Sequence, residues 1–361
     1  MTSTTVSTSP EGGLLTTDGL AGSFRASAAG LSERWIAVAG RLVRIRVGSP
    51  RMLRLLEAFE HLSAPAAEAD PGLTINVWDS PGRTPGPLPQ EPPGAPRGLR
   101  MVWTGGSVQG CYQPGQDTLS VLDHGVGEAW FWCLNGADLP YWEHAAPFRL
   151  ILNWWLAAQG AGLVHAAAIG RPAGGVLVVG KGGSGKSTTA LLSLLGGMSY
   201  ASDDYVIVER DIDGRGPHIH SAFGSAKLDG QQCSLFPSLD GALVNPDRQP
   251  EEKAVFLVNR FAPDQMMPSM PLLAILTPRI TGQPTTSVRP GSSLAALAAL
   301  APSTIFQLPG APATELRSMS EVVRSVPTYE LALGTDFQEI PHHIDELIMA
   351  LSVPDDRVRH P

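Results

Sequence analysis

A short apolar run that breaks into glycines and ends on Lys-Ser-Thr constrains this chain more than any other feature. The stretch "VLVVGKGGSGKSTTALL" occupies residues 176–192, and its segment 180–187 matches the pattern G-x-x-x-x-G-K-[ST]. Residues 176–179 predict a short buried strand, and residues 188–195 predict the first turns of a helix. This order of strand, loop and helix is the context that the pattern requires for binding a phosphate.

The loop has the residue types that an anion-binding backbone needs. Its glycines let the N–H groups turn inward, and the start of the helix adds its dipole and its unpaired N–H groups. Lys186 is expected to reach the β- and γ-phosphates, and the Ser187 hydroxyl is expected to hold Mg²⁺. In the empty loop we expect Lys186 to be solvated. The predicted nucleotide-binding positions of the loop are Gly180, Lys181, Gly182, Gly183, Ser184, Gly185, Lys186, Ser187 and Thr188.

Composition limits the class of protein. With 361 residues, of which 43% are hydrophobic and 17% charged, the chain can form two globular domains. The net charge is −8 and the basic residues are scattered, which argues against a nucleic-acid partner. Three distant cysteines predict neither a disulfide framework nor a zinc site, and the apolar stretches fall short of a membrane span. We therefore expect a cytoplasmic protein without a membrane partner.

The pattern of predicted elements differs between the two halves of the chain. The first half is rich in β-strands, and the second alternates strands and helices. The ends, residues 1–22 and 353–361, are expected to be disordered tails. Residues 23–145 predict a mostly β module, interrupted at 80–98 by a proline-rich stretch expected to be an exposed loop without one fixed conformation. Residues 146–352 alternate strand and helix patterns and contain the phosphate loop, so they predict an α/β domain.

The sequence predicts two helices in the first 160 residues. Residues 49–62 predict a helix with Ser49 as N-cap and Pro50 at the first helical position. Residues 147–160 predict an amphipathic helix that ends at Gly160.

An enzyme that transfers the terminal phosphate of a nucleotide to a hydroxyl needs a carboxylate for Mg²⁺ and a base for the hydroxyl proton. The adjacent pair Asp203 and Asp204, at a predicted strand end, can divide these tasks, and their mutual repulsion raises the pKa of one carboxyl. Read alone, the pair is also compatible with a capped turn, and His165 with a buried, hydrogen-bonded imidazole.

The spacing of these residues resembles that of a known family. His165 lies 21 residues before Lys186, and Asp203 lies 17 residues after it. This pattern resembles the HPr kinase/phosphorylase family and, more distantly, phosphoenolpyruvate carboxykinase, strongly over residues 163–210. The resemblance implies an α/β fold with an HPr-kinase/PEP-carboxykinase-like P-loop core. Together with the closing segment 326–348, the chain is most similar to HPr-kinase-like proteins encoded beside lasso-peptide and related biosynthetic genes.

The resemblance also implies roles for individual residues. ATP and Mg²⁺ are the implied cofactors, with Lys186 on the phosphates and Ser187 and Asp203 on the metal. Asp204 is favoured as the base, although the sequence leaves the two Asp roles interchangeable. His165 is implied to position the Asp pair or the γ-phosphate.

The chain departs from the family at two of these positions. Ala166 follows the histidine where the family usually has Gly, and Thr188 stands where Glu is usual. The C-terminal signature associated with phosphorolysis is not found. These departures weigh against the reverse reaction and against HPr itself as the substrate.

Three further basic residues are candidates for contacts with anions. Lys227 follows small residues in "SAFGSAKLDG", and a basic residue is frequent in this region of the similar proteins, so it is a candidate for a phosphate or substrate-anion contact. The alternative for Lys227 is a surface lysine. Arg260 and Arg279 are weaker candidates for stabilising transition-state charge, because an ordinary surface arginine explains each of them as well.

The function predicted from the sequence is an ATP- and Mg²⁺-dependent kinase that phosphorylates a Ser or Thr hydroxyl of a precursor peptide or small protein. One alternative is a kinase of a small-molecule hydroxyl. The other is a non-catalytic nucleotide-binding regulatory or assembly module, against which the Asp pair and His165 argue because a switch needs no base. Homo-oligomer formation is compatible with the sequence.

Overall fold

The computed structural model is a mixed α/β protein with several sheets. It describes residues 5–7, 15–28, 30–67, 69–96, 98–211, 214–310 and 312–352. The chain forms two compact units, the first containing residues 1–159 and 306–310 and the second containing residues 160–305 and 311–361. Among the described residues, none of the helices combines the length and the apolar character needed to span a bilayer.

The first unit is built on one eight-stranded sheet. Its strands are β1 Thr5–Ser7, β2 Ser32–Val38, β3 Arg41–Val47, β4 Leu73–Asp79, β5 Arg100–Gly105, β6 Val108–Gln113, β7 Thr118–Asp123 and β8 Glu128–Cys133. They lie in the order β1-β5-β6-β7-β8-β4-β3-β2. The hairpin of β2 and β3 turns at Ala39 and Gly40, whose φ angles of 47° and 74° are those of a type I′ turn. The helices of this unit are α1 Thr17–Ser27, α2 Tyr141–Ala145 and α3 Arg149–Ala157, with 3₁₀ helices at Pro50–Leu62, Pro114–Gln116 and Gly136–Asp138.

The helix predicted over 49–62 is a 3₁₀ helix, and Ser49 makes no side-chain cap. Its buried residues explain the difference from the prediction. Met52, Leu55 and Ala58 recur every three residues, as do Leu56, Phe59 and Leu62. A period of three matches the three residues per turn of a 3₁₀ helix, so these two rows face the core together.

The predicted N-terminal tail is partly ordered. Residues 1–4 and 8–14 lie outside the described residues, but α1 begins at Thr17, where the Thr16 hydroxyl accepts a hydrogen bond from the Gly19 amide at 3.1 Å. Leu20 and Phe24, one turn apart, bury their side chains against the first unit. The predicted tail 353–361 lies entirely outside the described residues.

The described residues of the proline-rich stretch, 80–96 and 98, form no helix or strand, and most of them are exposed, but a few anchor the stretch to the first unit. Pro85 and Pro89 are buried, and Leu88 packs against the tryptophan-rich core of the first unit. The Trp132 indole donates a hydrogen bond of 2.7 Å to the Ser80 hydroxyl. Prolines cost little conformational entropy to fix, which helps an irregular segment to remain in one conformation.

The boundary between the units also differs from the one predicted at residue 146. Helix α3 belongs to the first unit and ends at Ala157. Its Trp155 indole donates to the Gly72 carbonyl at 3.1 Å, and its Trp154 indole donates to the Pro309 carbonyl at 2.8 Å. These buried tryptophans fix the helix within the first unit.

The second unit contains a nine-stranded sheet and a separate pair of strands. Its strands are β9 Ala161–Val164, β10 Ala166–Arg171, β11 Gly174–Val179, β12 Ser199–Ser202, β13 Val206–Glu209, β14 His218–His220, β15 Ser225–Leu228, β16 Ala254–Leu257, β17 Ser269–Ile280, β18 Ser287–Pro290 and β19 Thr328–Leu333. The sheet follows the order β12-β10-β11-β17-β14-β13-β9, with β19 pairing β17 and β18, while β15 pairs β16. The helices are α4 Lys186–Leu195, α5 Gly230–Cys233, α6 Val258–Phe261, α7 Ser293–Gln307, α8 Pro312–Ser325 and α9 Glu339–Ser352, with 3₁₀ helices at Pro237–Ala242 and Pro263–Gln265.

Strand β11 is buried on both faces of this sheet. Val176 and Val178 point to a core that includes Leu191 of α4 and Ile344 of α9. Leu177 points to the opposite core, which includes residues of α7 and α8. A strand covered by helices on both faces has a continuous apolar sequence, and this explains the run of branched residues before the loop.

Candidate functional site

The glycine-rich loop connects β11 to α4 in the second unit. Gly183 and Gly185 have φ angles of 77° and 100°, a region that side chains other than glycine rarely adopt. Gly185 is the N-cap of α4 and has no side chain to accept hydrogen bonds from the first helical turn. The helix start therefore presents N–H groups to an external acceptor, which is the arrangement that binds phosphate.

Lys186 is buried, which contradicts the expectation that it is solvated. Its ammonium donates hydrogen bonds to the carbonyls of Gly180 at 2.7 Å and Lys181 at 3.3 Å. Burial lowers the pKa of Lys186, while the charges of Asp203 and Asp204 act in the opposite direction. This lysine thus connects the beginning of the loop to the first turn of α4.

The remaining loop positions differ in their surroundings. Lys181 and Gly182 are exposed, and Thr188 is half-buried. The hydroxyl of Ser184 is buried and has no hydrogen-bond partner among the described residues.

Two strand interruptions lie next to each other beside this loop, one between β9 and β10 and the other between β12 and β13. Strands β9 and β10 are separated only by His165, and β12 and β13 are separated by residues 203–205. β9 pairs β13 with Val164 opposite Val206, and β10 pairs β12 with Ala168 opposite Ser202. The two breaks therefore lie side by side, and the topology brings His165 to the Asp pair across 38 to 39 residues of sequence.

The backbone at the second break is strained. Asp204 has a φ angle of 65°, and the Tyr205 amide donates a hydrogen bond of 2.8 Å to the Asp203 carbonyl. A non-glycine residue in this region costs on the order of 1 kcal/mol and persists where the surroundings fix it. The tight turn directs the two adjacent carboxylates into different environments.

The Asp204 carboxylate lies between two nitrogen groups. Its Oδ1 is 3.3 Å from His165 Nε2, and its Oδ2 is 2.6 Å from Lys227 Nζ. Burial works to raise the pKa of Asp204, but the Lys227 ammonium and the hydrogen bond from His165 outweigh it and hold the pKa well below its usual range. Asp204 is therefore an ionised carboxylate at neutral pH.

The Asp203 carboxylate is buried with a 1% exposed surface, and neither of its oxygens accepts a well-formed hydrogen bond from a described residue. Burial raises its pKa, as does the neighbouring Asp204 charge, while the nearby Ser187 hydroxyl and the Lys186 ammonium act against this rise. A buried carboxylate with unsatisfied oxygens beside a serine hydroxyl fits Mg²⁺, which prefers a few hard oxygen ligands together with the phosphates of a nucleotide.

One residue of the site gave no signal in the sequence. Thr304, in α7, accepts a hydrogen bond of 3.0 Å from the His165 amide and donates one of 3.0 Å to the Leu300 carbonyl. It is a single threonine in an Ala- and Leu-rich helix 139 residues after the histidine, so spacing does not connect the two.

The structure gives the other candidates different surroundings. Lys227 is a largely buried residue of the Asp204 cluster, with 13% of its side chain exposed. Arg279 is an exposed residue that pairs with Glu330 at 2.7 Å. Arg260 is exposed at the end of α6.

Comparisons with known proteins add little to this geometry. No protein-family model matches the chain, and no curated protein matches it. Among solved structures, the Hpr(Ser) kinase/phosphatase from Coxiella burnetii aligns with 52% of this chain and 88% of its own, at 12% sequence identity and a TM-score of 0.30. A similarity at this score carries no argument about function.

Proposed function

We propose that this protein is an ATP- and Mg²⁺-dependent phosphotransferase that phosphorylates a Ser or Thr hydroxyl of a peptide or small protein. The observation that carries the proposal is the pair of adjacent carboxylates held in different environments beside the phosphate loop. Asp203 is buried with unsatisfied oxygens, and Asp204 is an ion-paired carboxylate. Carboxylates whose surroundings drive their pKa values apart are typical of sites that divide two tasks between them.

The phosphate and metal contacts follow from the loop. The amides of the loop and of the first turn of α4 would hold the phosphates, together with Lys186. The Ser187 hydroxyl and the Asp203 carboxylate would hold Mg²⁺, which supplies neutralisation of the phosphate charge when it is bound.

The remaining groups would act on the acceptor. An ionised Asp204 can accept the proton of a hydroxyl that attacks the γ-phosphate. His165 would orient this carboxylate through its Nε2, and Thr304 would fix the histidine backbone. Since phosphoryl transfer leaves little covalent work for the protein, positioning of these groups would supply most of the rate.

A direct test compares Lys186→Met with the parent protein. Methionine keeps the apolar stem in its buried position but removes the ammonium. We expect calorimetric titration with a non-hydrolysable ATP analogue and Mg²⁺ to show binding to the parent protein and a loss of at least about tenfold in affinity in the variant. Asp204→Asn should retain nucleotide binding and lose about 10²–10⁴-fold in transfer to a Ser/Thr peptide library under single-turnover conditions.

The alternatives predict different outcomes of this experiment. Transfer to small-molecule hydroxyls but not to peptides would indicate a small-molecule kinase. Nucleotide binding with no transfer to any acceptor, and parent behaviour of Asp204→Asn, would indicate a regulatory nucleotide-binding module. Undiminished affinity in a folded Lys186→Met protein would exclude the phosphate-loop site itself.

A further inference from the structure

Lys227 is more closely bound to Asp204 than a phosphate-binding lysine needs to be. The distance of 2.6 Å between its Nζ and Asp204 Oδ2 is that of a short, charge-assisted hydrogen bond. Transfer of a hydroxyl proton to an oxygen that already holds an ammonium is unfavourable. For Asp204 to serve as the base, the Lys227 ammonium has to leave it.

The backbone that carries Lys227 is fixed to the strand that leads into the Asp pair. The Ser202 hydroxyl donates to the Phe223 carbonyl at 2.9 Å, and the Phe223 amide donates to the Ser202 hydroxyl at 3.2 Å. The Tyr200 hydroxyl donates to the Ser225 carbonyl at 3.0 Å. Strand β15, which contains Lys227, is paired to β16 as well. Since the backbone around Lys227 is held in place, a change of partner requires a rotation of its side chain alone.

The destination of this side chain lies close to its present partner. Ala226 and Leu228, on either side of Lys227, share a buried core with Ala190 and Leu191 of α4, the helix that begins at the phosphate-loop residue Lys186. A terminal phosphate held by Lys186 would thus lie beside the Asp204–Lys227 pair. The four-carbon stem of a lysine lets its ammonium rotate between neighbouring anions at little cost.

We propose that Lys227 exchanges Asp204 for the terminal phosphate of a bound nucleoside triphosphate, so that Asp204 becomes available to the acceptor hydroxyl only when a triphosphate is present. This inference rests on the proposed function. The exchange makes the base dependent on the phosphate that it serves, and Lys227 returns to Asp204 when a diphosphate remains. Lys227 thus contacts the phosphate when a triphosphate is bound, and otherwise it keeps Asp204 from acting as the base.

The lysine content of the chain permits a residue-resolved test. The chain has four lysines, at positions 181, 186, 227 and 253. Lysine labelled with ¹³C at Cε therefore gives four side-chain NMR signals, which substitution of each lysine by arginine assigns. We expect a non-hydrolysable ATP analogue with Mg²⁺ to shift the signals of both Lys186 and Lys227. ADP with Mg²⁺ should shift Lys186 and leave Lys227 at its position in the free protein.

Nucleotide affinities provide a second measurement. Lys227→Met should lower the preference for the ATP analogue over ADP by about tenfold, the size expected for one charge-assisted hydrogen bond to a phosphate. Lys227→Arg should keep most of the preference. Arg317→Met is the control, because Arg317 is a cation of α8 with 82% of its side chain exposed that pairs with Glu321 at 3.1 Å. It should leave the preference unchanged.

The outcomes separate this inference from the proposed function. If the ATP analogue moves the Lys186 signal but not that of Lys227, or if Lys227→Met keeps the parent preference, the exchange is wrong and nucleotide binding stands. If neither nucleotide moves the Lys186 signal, both proposals are wrong.

Discussion

The two units of the molecule bury charge in opposite ways. In the first unit, Glu143 and Arg149 are both almost fully buried and form an ion pair of 2.7 Å, and Arg149 also donates to the Ala146 carbonyl at 3.4 Å. In the second unit, Asp203 is equally buried, and its oxygens have no well-formed hydrogen bond among the described residues. The first carboxylate has a guanidinium within hydrogen-bond distance, and the second lies beside the Ser187 hydroxyl and the Asp204 charge.

Asp79 is a second buried carboxylate of the first unit with partners inside the protein. Its Oδ2 accepts a hydrogen bond from the Gly136 amide at 3.0 Å and lies 3.3 Å from the Arg51 guanidinium. A buried polar group without a partner costs free energy, so it persists where function compensates for it. A buried carboxylate that lacks a well-formed hydrogen bond is therefore a better indicator of a functional site than a buried carboxylate with partners.

The largest effect on stability is expected from breaking the completed pair. Glu143→Gln removes the carboxylate that lies 2.7 Å from the buried Arg149 guanidinium, and breaking a buried ion pair in this way destabilises proteins by about 3–5 kcal/mol. Denaturant unfolding measures this loss. Glu330→Gln is the matched control, because its pair with Arg279 has the same length of 2.7 Å but is exposed. An exposed pair contributes at most about 1 kcal/mol.

Equal losses in Glu143→Gln and Glu330→Gln would contradict the distinction between the two environments. They would show that burial does not determine the value of an ion pair in this protein.

An intermediate effect of opposite sign is expected at the unsatisfied carboxylate. Asp203→Asn removes a buried charge that lies next to the Asp204 carboxylate, so the free energy of unfolding should rise by about 1–3 kcal/mol. The same variant should lose the Mg²⁺ dependence of nucleotide binding. Thermal unfolding without ligand and calorimetric titration with and without Mg²⁺ measure the two effects.

The neighbouring residue provides the control for this prediction. Asp204→Asn removes the partner of the largely buried Lys227 ammonium, so it should lower stability where Asp203→Asn raises it. A loss of stability in both variants would show that Asp203 has a structural partner and is not held in place for a ligand.

The sequence was sufficient to predict the local elements of the site. An apolar strand, four glycines and Lys-Ser-Thr predicted the order of strand, loop and helix that β11 and α4 show, because each of these residues acts within its own segment. The presence of Lys227 and His165 beside Asp204 depends on strand pairing instead. Two strands break side by side there, and no local pattern predicts the register that aligns the breaks.

The prediction that Lys186 is solvated is wrong, because composition gives no information about nearby hydrogen-bond acceptors. Lys186 is buried, and its ammonium donates to the carbonyls of Gly180 and Lys181. In the proline-rich stretch the sequence likewise does not identify Leu88 as the residue that packs against the tryptophan-rich core of the first unit. Thr304 could not be identified, since its partner is distant in sequence.

The smallest predicted effect concerns the different surroundings of a histidine in each unit. In the second unit His220 Nε2 lies 3.1 Å from a Glu209 carboxylate oxygen. In the first unit, burial lowers the pKa of His61 from 6.5 to about 4. As the pH falls through 6.5, the unfolded chain binds a proton at this residue, while the folded protein binds it only near pH 4. The unfolded state therefore gains protons first, and stability must decrease from pH 6.5 to pH 4.

Substitution isolates this contribution from that of the carboxylates, which also titrate on the acid side. His61→Gln stays neutral throughout, so its free energy of unfolding should fall less than that of the parent between pH 6.5 and pH 4. Since solvent still reaches part of the residue, we expect a difference of about 1 kcal/mol, below the limit set by the full pKa shift. His124→Gln, at an exposed turn position, is the control and should follow the parent. If His61→Gln loses as much stability as the parent on acidification, protonation of the His61 imidazole does not destabilise the folded protein. In that case burial in the first unit does not disfavour an unpaired charge, contrary to what the paired Glu143 and Arg149 imply.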